Sequence, residues 1–185
     1  MEGTAALFGI FTGFTVLLAA LSIAIYNKMA FLRNAAKSSW IDLNVLLQVR
    51  YDLVPDLGEV VKSHAPHEMA AIENLSKARS AAMKASSPAE KGTTEKIFAE
   101  TLKTLFSLAE AYPELAAYTG FLRIRRQWEE TGKKIEKAGR VYNAIVRDLN
   151  AIIESFPSSM IATLFRFHKA ESFGPETQAI KAEPR

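Results

Sequence analysis

Apolar residues recur at steps of three and four along most of this chain, and one stretch has no polar rhythm at all. From Ala5 to Ile25, 21 positions pass without a charged side chain. At 1.5 Å per residue such a helix covers roughly 30 Å, the hydrocarbon thickness of a bilayer. A single span there must be helical, because only a helix satisfies its own backbone groups. A cleaved signal peptide opens on basic residues and has a shorter apolar core, whereas this chain opens on Met1, Glu2, Gly3 and Thr4. The pattern therefore predicts an uncleaved transmembrane anchor over residues 1–26, touching lipid through residues 5–25. All 23 lysines and arginines follow Tyr26, with Lys28, Arg33 and Lys37 nearest the span. The positive-inside rule then predicts a cytoplasmic carboxyl-terminal domain, with Tyr26 at the headgroup boundary.

The clearest helical period comes late. Phe121, Ile124, Trp128, Thr131, Ile135, Ala138, Tyr142, Ile145, Leu149, Ile152 and Phe156 step by three and four without a miss, predicting one long amphipathic helix. Arg123, Arg126, Glu130, Lys133, Lys137 and Arg140 form its opposite, solvated stripe. After the anchor, Leu32, Ala36, Trp40, Leu43, Leu47, Val54, Leu57 and Val61 repeat the period. This helix is expected to continue from the membrane span or to join it through a short kink. Pro55 cannot donate to the Tyr51 carbonyl and crowds that turn, so a bend is expected there. Arg50 falls on the apolar stripe. If buried it requires a carboxylate partner, and Glu110 is the first candidate.

Pro66 is expected to close that helix. A shorter one from His67 to about Ala85 then turns Met69, Ile72, Leu75, Ala78 and Ala82 inward. Residues 86–92 read as an exposed loop, and Thr93 or Thr94 as the cap of the next helix, with Glu95 in its first turn. That helix presents Phe98, Leu102, Leu105, Ala109 and Tyr112 to the core, and Pro113 ends or bends it. Residues 174–185 are polar with two prolines and read as a flexible tail. No alternation or hairpin signal predicts a strand, so the fold class is all-α, one domain over residues 27–173.

Composition narrows the function classes. After the anchor, 23 basic side chains face 19 acidic ones, Glu2 being the one acid outside that count. Such a mild excess does not argue for nucleic acid. It suits a surface beside anionic lipid. With no cysteine, thiolate metal sites, cysteine nucleophiles and disulfides are absent. His64, His67 and Glu68 are the one cluster of ligand types, but Pro66 breaks the spacing that would aim them together. Neither a phosphate-binding glycine loop nor a nucleophile elbow is present. No cofactor, metal or catalytic residue is expected.

Several blocks, in order, resemble the LemA family of bacterial membrane-anchored helical proteins. Tyr26 and Asn27 after an apolar span are similar to the family's opening. Trp40 followed by Arg50, Tyr51, Asp52, Leu53, Val54, Pro55, Asp56 and Leu57 resembles its most specific motif. Glu110, Ala111, Tyr112, Pro113, Glu114 and Leu115 resemble a second block, and Tyr142, Asn143, Val146, Asn150, Phe156 and Pro157 a third. Asn44, Gly132 and Gly139 depart from the family's usual aspartate, glutamate and arginine. The length of the late helix predicts an elongated bundle, and the resemblance implies that it is an antiparallel four-helix bundle on a single-pass anchor in the bacterial inner membrane. It brings no enzymatic activity. The candidate structural and interaction residues are Trp40, Arg50, Tyr51, Asp52, Glu110, Tyr112, Pro113, Tyr142 and Asn143. The reading that follows is a non-catalytic scaffold or adaptor, self-associating or holding a membrane-protein partner. Its rivals are a bundle that binds or shapes anionic membrane, and a metal-dependent hydrolase near His64 and His67.

Overall fold

The computed structural model describes residues 2–174, and among them every regular element is helical. Helix α1 runs Glu2–Tyr51, α2 Leu53–His64, α3 Met69–Lys84, α4 Pro88–Ala109, α5 Pro113–Ala117, α6 Thr119–Glu154 and α7 Ser158–Leu164. A single 3-10 turn, Pro66–Glu68, links α2 to α3. The span thus continues into the following helix as one 50-residue element. It is long and apolar enough to cross a membrane, and its apolar window is unburied. The break expected from Pro55 falls at Asp52, between α1 and α2. There the helix loses the bond that Pro55 has no hydrogen to make.

Two expectations fail at the start of α4. Residues 86–92 are not a loop, because the helix begins at Pro88 with Ser87 as its cap. The Glu90 N–H donates to Ser87 Oγ at 3.2 Å, and Glu90 Oε2 accepts from the Ser86 N–H at 2.9 Å. With proline at the first helical position this is a complete start signal, lying further upstream than the threonines. Thr93 and Thr94 instead bond back to the carbonyls of Ala89 and Glu90, inside the helix. Met69 is exposed rather than inward-facing. It is the first residue of α3, where the chain has just left the 3-10 turn.

The described residues form two compact units. One comprises residues 2–38 and 144–170, the other residues 39–143 and 171–174. In the second, Leu43, Leu47, Val54, Leu57, Leu75, Phe98, Leu102, Phe121 and Ile124 build a continuous core with Tyr51 and Trp128. The α6 stripe holds through Ile135, Tyr142 and Leu149, with a shift of one position between the last two. Val146 is fully buried where Ile145 was expected to be, and Phe156 lies outside the helix, 82% exposed. A strict three-and-four repeat averages 3.5 residues per turn, so over five heptads a 3.6-residue helix rotates off it.

In the first unit, Met29, Ala162 and Phe167 form a smaller core with Ile25, Ile152, Ile153 and Ile161 packed against it. Helix α7 closes on a Schellman turn. The Phe167 N–H reaches the Ala162 carbonyl at 2.9 Å and the Arg166 N–H reaches Thr163 at 3.3 Å, with Arg166 at φ 55°. This left-handed arginine folds Phe167 back onto its own helix. The flexible tail expected over residues 174–185 lies outside the described residues, Gly174 excepted.

Candidate interaction site: a buried ion pair and a strapped groove

Arg50 is buried, as its place on the stripe required, but its partner is Glu95 and not Glu110. Arg50 Nη1 lies 2.6 Å from Glu95 Oε1, and the guanidinium sits 3.4 Å from the centre of the Trp128 ring. Glu110 lies instead at the surface near Arg125, 3.9 Å away. Glu95, Phe98, Leu102, Leu105 and Ala109 step by three and four, so the α4 core stripe extends one turn upstream of Phe98. Once α4 starts at Pro88, Glu95 belongs to that stripe, whereas Glu110 falls just past the last helical residue.

Around the pair, Tyr51 stacks edge-on to Phe98 at 5.3 Å, and Phe98 to Trp128 at 5.6 Å. Arg50 Nε has no hydrogen-bond partner, and the Tyr51 hydroxyl is close enough to Glu95 to influence its carboxyl. The pair is therefore incompletely satisfied, the costly form of a buried ion pair. Burial pushes the Glu95 carboxyl above the usual carboxylate range, although Arg50 pulls it back. The same burial lowers the Arg50 guanidinium. Burial, and then the neighbouring Glu95 charge, raise the Tyr51 hydroxyl well above its ordinary value. A depression of about 400 Å³ opens beside Arg50, bordered by Lys103, Ser107, Glu110, Arg125 and Glu129. Its charges are of both signs.

The second grouping joins Trp40, Tyr142 and Asn143. Their common partner is the segment 171–173, which no sequence signal singled out. The Tyr142 hydroxyl donates to the Glu171 carbonyl at 2.8 Å. Asn143 Nδ2 donates to the Phe173 carbonyl at 3.0 Å, and the Phe173 N–H donates to Asn143 Oδ1 at 2.7 Å. The side-chain amide thus replaces a neighbouring strand, pairing both backbone groups of one residue. The Phe173 ring lies 6.2 Å from Trp40, which also meets Tyr142 at 5.2 Å. Trp40 is half-buried under this strap rather than sunk in the core.

Two glycines make room for the strap. A Cβ on Gly92 would stand 1.9 Å from the Gly174 nitrogen, and one on Gly139 3.2 Å from the Phe173 ring. The departure at Gly139 therefore creates space, while Gly132, where a Cβ would meet nothing within 4 Å, only loosens the helix. We expect Gly132→Ala to stabilise the protein by about 1 kcal/mol, the helix-propensity difference. Gly92→Ala should destabilise it and free the strap, read by limited proteolysis after Phe173. Equal effects from the two substitutions would refute this assignment.

The remaining residues sit apart from both groupings. Asp52 accepts from Gln48 at 2.8 Å and lies 4.0 Å from Arg79. The Tyr112 hydroxyl donates to Glu68 at 2.5 Å, and Pro113 opens α5. Asn44 bonds back to the Trp40 carbonyl. His64 stacks on Tyr118 at 4.4 Å and engages the Val60 carbonyl through Nδ1. Among the described residues no three His, Cys, Asp or Glu side chains gather as a metal site would require.

The family model described as LemA family matches residues 39–185, which contain both groupings. The chain belongs to the LemA family. No curated protein matches it. The Arg50 and Asn143 contacts thus lie within the family region, while the apolar span precedes it.

Proposed function

We propose that this LemA-family chain is a membrane-anchored, non-catalytic scaffold that associates with a second copy of itself or with a membrane protein through its helical surface. Its long helices form an antiparallel four-helix bundle on the cytoplasmic face of a bacterial inner membrane, held by one pass. The reading is carried by an unpartnered stripe on the family's first helix. Ile41, Val45 and Val49 lie one turn apart on α1 and are all exposed. Large aliphatic side chains aligned on successive turns of a solvated helix mark a surface for another helix. Anchoring supports it too, because copies in one bilayer meet side by side and parallel, so the stripe can face its own image.

The buried chemistry supports a structural role as well. Arg50 and Glu95 are engaged with each other and with Trp128. The chain contains no cysteine, which makes the test simple. Val45→Cys, in intact membranes under mild oxidation, should yield a disulfide-linked dimer if copies pair through the stripe. Alternatively, photocrosslinking from Val45 should attach one membrane protein reproducibly. A chain that gives neither product, and purifies from mild detergent as a monomer alone, would defeat the scaffold reading. A reporter fused after Arg185 should be cytoplasmic, and an external signal would reverse the orientation.

A further inference from the structure

From Ser155 to Phe165 the chain carries no charged side chain for 11 residues, although Glu154 precedes this run and Arg166, His168 and Lys169 follow it. Within a solvated domain such a run belongs in the core. Here much of it is outside. Phe156 is 82% exposed, Leu164 75%, Met160 66%, and Phe165 is exposed as well. Of the apolar residues of α7, Ile161 and Ala162 face inward, and they pack where the membrane span ends, in the cluster with Ile25 and Met29. Tyr26, the first residue beyond the span, holds the Phe165 ring at 4.8 Å and the Phe167 ring at 5.7 Å.

We propose that residues 155–165, the turn after α6 together with α7, form a second membrane contact that lies in the headgroup interface beside the span. An apolar patch of this kind calls for an occupant, and continuity with the span decides which one. Tyr26 is at the depth where aromatic rings favour the interface, and α7 is fixed to that same level of α1. An interfacial element of this type sinks its apolar side roughly 5–10 Å into the boundary between headgroups and acyl chains. Phe156, Met160 and Leu164 supply that side. The basic flank fits anionic headgroups: Arg166 is exposed, and Arg33 covers Phe167 at 4.9 Å. Glu154 is engaged with Lys169, so the acid at the edge of the patch is compensated.

The inference rests on the reading of residues 5–25 as a membrane anchor, and the test separates the two. Full-length single-cysteine variants Phe156→Cys and Leu164→Cys, each at an exposed position, are labelled with a polarity-sensitive fluorophore. Val16→Cys in the span and Ile97→Cys on exposed α4 serve as references. The proteins are placed in vesicles of phosphatidylcholine and phosphatidylglycerol, with and without a lipid bearing a nitroxide high on its acyl chain. At positions 156 and 164 the emission should shift to the blue, lose most of its quenching by a neutral aqueous quencher, and be quenched by the nitroxide lipid. Position 97 should show none of these changes. Labels at 156 and 164 that stay open to the aqueous quencher while position 16 sits in lipid would overturn the second contact alone. Labels shielded from water yet untouched by the nitroxide lipid would overturn it in favour of a protein cover. A label at position 16 that remains in water would overturn the anchor and the contact together.

Discussion

Arg50→Met is expected to cost the protein about 3–5 kcal/mol, because it strands the Glu95 carboxylate in the core without its partner. The double replacement Arg50→Met with Glu95→Leu should cost much less, since two apolar side chains of similar volume need no solvation and leave no charge behind. Denaturant unfolding of the full chain in detergent gives both values, and the cycle gives their coupling. The companion pair Arg50 and Glu110 should show no coupling. A pH series adds a second test. Burial raises the Glu95 carboxyl and Arg50 is the main influence lowering it, so removing the arginine raises it further. A carboxyl with a raised folded-state pKa binds its proton more tightly folded than unfolded. Its favourable contribution is full below the unfolded value, about 4.3, and is lost as pH rises through the folded value. The deficit of Arg50→Met should therefore be smallest near pH 4 and largest near neutrality. A deficit independent of pH would mean that Glu95 finds another partner or reaches solvent.

Phe98→Ala should cost about 3–5 kcal/mol, as expected for an aromatic side chain with no exposed surface. Phe98 stands between Tyr51 and Trp128, so its loss empties the space on which the Arg50 cluster rests. Trp40→Ala is the instructive contrast. From the stripe alone the two rings look equivalent, yet Trp40 is half-buried and its cover is Phe173. Its loss should be clearly smaller and should be accompanied by release of the strap. Equal losses at both positions would mean that the strap packs as tightly as the core.

The comparison shows where periodicity carries information. The stripes from Leu43 to Val61, from Phe98 to Ala109 and from Phe121 to Ala138 identify their buried faces because each repeats one geometric step against a single core. Arg50 was recognisable as a buried charge for the same reason. Its partner was missed because the start of α4 was misplaced by a few residues, which removed Glu95 from the stripe. The Asn143 and Phe173 pairing had no periodic signature, since it links a helix side chain to the backbone of an irregular segment. Phe156 is the end of the predicted stripe yet lies beyond α6 and is exposed, because apolar spacing alone does not tell a core-facing side chain from one on the surface.

The strap also sets an order of events. Trp40, Gly92, Gly139 and Asn143 are all synthesised before Phe173, the residue they hold. A chain emerging from the ribosome can form its helices while this groove is still open. Only when residues 171–174 have left the exit tunnel can the last site close. Chains truncated before Glu171 should therefore leave the Trp40 face uncovered. The segment at residues 171–173 is thus the last of the described contacts that a growing chain can make.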